Sequence, residues 1–194
     1  MSLNLVREYM DEGIVVFSKV FELFTGGFSL TSSTLSGFPE MKLPKGSLVK
    51  VDEDARTATP IKTAKVAKGG GGTDDILVEK PHFFQVGDTI ALTVDAKAYN
   101  IDGITATGDY DEISVGTAID TATAGDVLFE SSDNGETAAA INTIANAVTR
   151  YDSYLKAGSG VTAALRATVY KNRIQPHQEG HLADVEFIHF SESK

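Results

Sequence analysis

Short apolar runs broken by glycine, aspartate or asparagine constrain this chain more than any other feature. Val, Ile, Thr and Phe crowd into these runs, and 18 glycines against five prolines punctuate them. β-Branched and aromatic side chains lose rotamer freedom in a helix but pack well on a pleated surface, while Gly and Asp suit turns. The pattern predicts a mainly β fold: a small β-barrel or β-sandwich-like domain with an extended N-terminal arm and at most one short helix. At 194 residues there is room for one domain plus an arm, and the division falls at residues 1–35 and 36–194.

Residues 13–24 carry the first run. As a helix they would be apolar on nearly every side, so a strand ending at Gly26-Gly27 is expected. The Ser/Thr-rich stretch 28–37 reads as an extended segment lying on another surface. Residues 43–67 read as a hairpin, with a Pro44-Lys45-Gly46 turn at its start, an acidic turn at Asp52-Glu53-Asp54, and Lys50, Lys62 and Lys65 on its solvent face. The glycine run 69–72 predicts a flexible loop. Further strands are expected at 76–79, 89–94, 113–119, 123–130, 161–170 and 185–190, with turn chemistry at Gly87-Asp88. The one helical window is 136–148, where Ile141, Ile144, Ala145 and Val148 fall at helical spacing. Its Asn and Thr content weakens it, so a single turn on a long loop competes.

Composition removes several classes of chemistry. A formal charge of -10 disfavours phosphate backbones and anionic headgroups, so neither nucleic acid nor membrane is an expected partner. Cysteine is absent, which excludes thiol nucleophiles and thiolate metal sites. No apolar run approaches the roughly 20 residues that span a bilayer, and the acidic residues after Arg7 are unlike an export signal, so a soluble chain is expected. His177-Gln178-Glu179-Gly180-His181, with His189, is the nearest approach to a metal site. Its glycine and the nearby Pro176 argue for a loop with exposed histidines rather than the rigid helix a zinc pair needs. His82 reads as a strand-edge residue. The acidic runs 52–54, 74–75, 109–112 and 133–134 fall in turns, where carboxylates stay solvated. Gly158-Ser159-Gly160 lacks the spacing of a nucleophile elbow, and the glycine run lacks a phosphate-binding lysine and helix. No catalytic, cofactor or metal residue is assigned, and an enzyme is not expected. Phe17, Phe21, Phe24 and Phe28 carry more aromatic area than an arm can bury against itself. They serve either as a partner interface or as part of the domain's own core.

The run from Leu43 to Asp52, then Arg56 to Val66, then His82 to Asp88, resembles the head fibre and capsid-decoration proteins of tailed bacteriophages. The segments from Asn146 to Asp152 and from Leu165 to Ile174 are similar to the pattern that closes the decoration domain in that group, so the likeness covers most of residues 36–190. The resemblance implies a non-enzymatic virion protein, made in the bacterial host cytoplasm and placed on the capsid exterior. It implies the major capsid protein as partner and a homotrimer as the assembled state, with no cofactor. The long amino-terminal segment and the glycine run depart from the pattern. A carbohydrate- or receptor-binding β module is the rival reading, with a surface glycan as partner. Without Trp, its stacking platforms would be Tyr99, Tyr110, Tyr151 and Tyr154.

Overall fold

The computed structural model describes residues 15–68 and 75–192, and within them the chain is mainly β. One eight-stranded sheet has the order β1-β15-β12-β4-β5-β2-β14, with β16 also paired to β15. Its strands are β1 (Phe17–Leu23), β2 (Phe28–Ser29), β4 (Leu48–Asp52), β5 (Thr57–Pro60), β12 (Ala147–Thr149), β14 (Gly160–Val161), β15 (Ala163–Tyr170) and β16 (Ile188–Ser191). Between β5 and β12 the chain builds a closed barrel, β10-β7-β6-β11-β8-β9. This barrel comprises β6 (Thr63–Lys68), β7 (Asp75–Glu79), β8 (Thr89–Ala91), β9 (Ala98–Thr107), β10 (Tyr110–Val115) and β11 (Val127–Glu130). A two-stranded ribbon of β3 (Lys42–Leu43) and β13 (Ser153–Tyr154) completes the described strands.

Alternation explains where the cores sit. In the barrel, Ala64 and Val66, Ile76 and Val78, and Ile113 and Val115 recur every second residue, so each strand sends one row inward with Phe84, Ile90 and Leu128. In the sheet, neighbours divide between two cores. Leu48, Val148 and Ala164 join Phe17 and Val169 in one, whereas Val49, Ala147 and Ala163 join Phe28 and Leu30 in the other. Successive strand residues point to opposite faces, so the sheet has a core against each face.

The segment after β15 fastens barrel to sheet. It contains two short 3-10 turns, Lys171–Arg173 and Glu179–Leu182. The Gln175 Oε1 accepts the Leu48 N–H at 3.0 Å, and its Nε2 donates to the Ile61 carbonyl at 2.6 Å and to Thr63 Oγ1 at 2.9 Å. Gln178 Nε2 donates to the Val127 carbonyl on β11 at 3.1 Å. Gly46 has φ +84, and a Cβ there would meet Val16 Cγ1 at 2.9 Å and the Arg173 carbonyl of this segment at 3.4 Å.

Several expectations change. The arm assigned to residues 1–35 lies partly outside the described residues, and from Phe17 onward it contributes two strands to the sheet, β1 on β15 and β2 on β14 and β5. Thr31 and Thr34 fold the Ser/Thr stretch into a compact turn through Thr31 N–H to Thr34 Oγ1, 2.9 Å. The hairpin closes at β4 and β5, where Asp52 Oδ1 accepts the Asp54 and Ala55 N–H groups at 3.0 and 2.9 Å. Its expected continuation, β6, leaves for the barrel, and Lys62 is 2% exposed instead of facing solvent. No helix forms at 136–148: residues 136–146 are irregular and 147–149 are β12. Asn146 decides this locally, because its side chain accepts from Val51 N–H at 2.7 Å and donates to the Val51 carbonyl at 2.9 Å. The glycine run 69–72 lies outside the described residues.

Candidate binding surface

The four phenylalanines do not share one environment. Phe17 belongs to one sheet core, and Phe24 and Phe28 pack edge to face at 5.3 Å in the other. The Arg56 guanidinium covers the Phe28 ring at 4.8 Å. Phe21 alone of the four stands out, 58% exposed. A bulge explains it. Val20 pairs with Ala167 and Glu22 with Arg166, so Phe21 is the extra residue that β1 inserts at that point. A bulge breaks the two-residue alternation and re-aims the side chain it carries.

Among the described residues β1 pairs only with β15, so it forms one edge of the sheet. On the other side of β15, Ala167 pairs with Ile188 of β16. Phe187, the residue before Ile188, is 61% exposed. β1 runs antiparallel and β16 parallel to β15, so Phe21 and Phe187 both stand level with exposed Arg166. Two strand spacings, about 10 Å, separate their backbones. Lys19 Nζ lies 4.6 Å from the Phe21 ring, and His189 is exposed on β16 opposite Thr168. Exposed phenylalanines on β1 and immediately before β16, the two strands that border Arg166, with Glu22 opposite that arginine, supply aromatic and arginine side chains of the types enriched at protein interfaces. The alternation of Phe187 and His189 against Ile188 and Phe190 is visible in the sequence, but which of the two rows is outward is not.

The tyrosines fall elsewhere. Tyr151 and Tyr154 are 56% and 66% exposed near the β3-β13 ribbon, and the Arg150 guanidinium lies 5.0 Å from the Tyr151 ring. Tyr110 begins β10 on the barrel, and the Tyr99 hydroxyl donates to Glu136.

His189 is exposed as expected, whereas His177 and His181 are not the exposed loop residues expected. His181 is buried, edge-on to Phe129 at 5.8 Å, and burial pushes its pKa down to about 4. Burial also lowers His177, whose Nδ1 sits 2.9 Å from the Gln175 carbonyl and whose ring packs on Phe190. His82 is buried too, not at a strand edge. Burial lowers its pKa against the opposing pull of Asp111, whose Oδ2 lies 3.0 Å from its Nε2. Asp111, expected to be solvated in a turn, also holds Lys80 Nζ at 3.0 Å. Among the described residues no group of three or more His, Asp or Glu side chains is arranged to hold a metal ion. Recesses include one of about 580 Å³ beside Gly27, Phe28, Arg56 and Thr162, one of about 390 Å³ beside Lys65, Val127 and His177, and one of about 180 Å³ beside Gly46, Phe83 and the fastening residues Thr63 and Gln175.

Comparison with protein-family models, with curated proteins and with solved structures finds no match to this chain.

Proposed function

We propose that the chain is a structural virion protein that binds the outside of an icosahedral phage capsid, decorating or stabilising it as a head fibre or auxiliary capsid protein and carrying out no reaction of its own. The observation that carries this reading is the pair of exposed phenylalanines, Phe21 on β1 and Phe187 immediately before β16, the two strands that border exposed Arg166 of β15. Large aromatic side chains left in water on either side of one strand favour a macromolecular surface over a small substrate. The order of turn and strand segments over residues 36–190, similar to that of phage decoration proteins, supports the same class. On a symmetric shell, contacts to the major capsid protein repeat, and a homotrimer engages several at once, so modest affinities add through effective concentration. The expected location is the capsid exterior, after synthesis in the host cytoplasm.

Deleting residues 1–35 would remove β1 and β2 and is not a clean test. The test uses Phe21→Asp with Phe187→Asp, and Tyr154→Asp as the control, each checked for an unchanged circular dichroism spectrum. Co-sedimentation with assembled shells is expected to fall tenfold or more for the double variant and to hold for Tyr154→Asp. Undiminished occupancy in the double variant overturns the assignment. The exposed pair Tyr151 and Tyr154 favours a glycan-binding reading instead, and sugar binding lost in Tyr154→Asp with no affinity for shells would establish that class.

A further inference from the structure

The barrel holds a buried cation between two carboxylates. Lys62 immediately precedes β6, Asp88 immediately precedes β8, and Glu130 ends β11. β11 lies between β6 and β8, and the Glu130 N–H donates to the Lys62 carbonyl at 3.2 Å, so all three residues meet at one end of three adjacent strands. The Lys62 Nζ lies 2.6 Å from Asp88 Oδ1 and 3.0 Å from Glu130 Oε1. The side chains are 2%, 11% and 20% exposed respectively. The Phe38 ring covers the ammonium at 4.8 Å, and Gly37 closes over it so nearly that a Cβ there would stand 3.3 Å from Nζ.

Both carboxylates are held from behind. Asp88 Oδ2 accepts the Gln85 N–H at 2.7 Å, and Glu130 Oε2 accepts from Asn142 Nδ2 at 2.8 Å. Each thus presents its other oxygen to Nζ, and the nitrogen is held against the Asp88 carboxyl group. Isolating one ammonium with two anions is costly as a purely structural device, since desolvation offsets most of the Coulomb gain. The same enclosure suits condensation. Fixed reactants act at effective concentrations on the order of 10⁵ M or more, and the shielded site opposes hydrolysis of the product.

We propose that Lys62 and Asp88 become joined by an intramolecular isopeptide bond, with Glu130 carrying the protons. Glu130 takes one proton from the Lys62 ammonium and delivers it to Asp88 Oδ1, leaving a neutral amine beside a carboxylic acid. The Nζ lone pair attacks Asp88 Cγ, and the charge that develops on Oδ2 is met by the Gln85 N–H. Glu130 then moves a second proton from nitrogen to Oδ1, the Cγ–Oδ1 bond breaks, and water leaves. Ammonium and carboxylate become amide and water, Glu130 ends as the carboxylate it began, and no oxidant or activated co-reactant is required. The bond staples β6 to β8 across β11. It is independent of the shell-binding reading, because it lies at one end of the barrel and on neither β1 nor β16.

Intact-mass measurement and tryptic mapping of the folded full-length protein, kept at neutral pH, provide the test. The expected result is a chain lighter by one water, in which the peptide bond after Lys62 resists trypsin and its segment is linked to the one containing Asp88. Glu130→Gln is expected to retain the fold and link at least a hundredfold more slowly. Lys62→Arg is expected to show the full sequence mass. A wild-type protein that keeps the full mass, or a water loss that maps to other residues, overturns the proposal. Linking at the wild-type rate in Glu130→Gln overturns the role given to that residue.

Discussion

At His181 the ring Nδ1 accepts the Gln178 N–H at 3.3 Å, which places the neutral imidazole's proton on Nε2. Burial beside Phe129 disfavours the charged ring and outweighs the raising effect of the Gln178 backbone, so the pKa falls to about 4 from an ordinary 6.5. The unfolded chain therefore binds a proton that the folded one refuses. The stability from this group is fully present above about pH 6.5 and is lost as pH falls toward 4, on the order of 3 kcal/mol over the window. Urea midpoints measured across that range should drop steeply for the native chain and less steeply for His181→Gln; parallel slopes would contradict the assignment. His82 and His177, also lowered by burial, add to the acid sensitivity in the same direction. The spacing of His177 and His181 is plain in the sequence. Their burial is not, because it comes from Phe190 and Phe129, residues distant along the chain or on another strand.

Along β1 a bulge separates two kinds of phenylalanine. Phe17 stays in the core, Phe21 is turned outward, and the chain then delivers Phe24 and Phe28 to the opposite face of the sheet. Truncating a buried aromatic loses transfer energy and leaves a cavity, whereas truncating an exposed one loses little. Phe24→Ala and Phe28→Ala are each expected to cost about 3–5 kcal/mol in urea unfolding. Phe21→Ala should stay within about 0.5 kcal/mol while weakening any partner bound at that edge. Aromatic density over 17–28 was legible as a demand for burial or a partner, but its division between the two depended on the partner strand. The same holds for 136–148, where Asn146 pairing with Val51 outweighs a weak helical preference.

Across the whole molecule, barrel and sheet are joined by chain crossings at 60–63 and 130–147 and by the Gln175 and Gln178 side chains. Gln175→Leu would leave the Leu48 N–H and the Ile61 carbonyl without their side-chain partner. A loss of roughly 2–4 kcal/mol is expected, since each buried polar group left unpaired is costly. Calorimetry is expected to show one cooperative transition for the native chain and a broadened or split one for the variant. An unchanged endotherm would mean that the glutamine does not couple the two assemblies.

Residue order alone determined that the chain is mainly β, where most strands and turns fall, and that thiol chemistry is absent, because alternation, turn residues and composition are local properties. Only the tertiary structure decided that β6 leaves the hairpin for a barrel, that Lys62 meets Asp88 and Glu130 away from water, and that Phe21 and Phe187 flank Arg166. Those outcomes depend on which strands become neighbours, and pairing between distant segments is set by the burial available to the whole chain rather than by any short stretch of it.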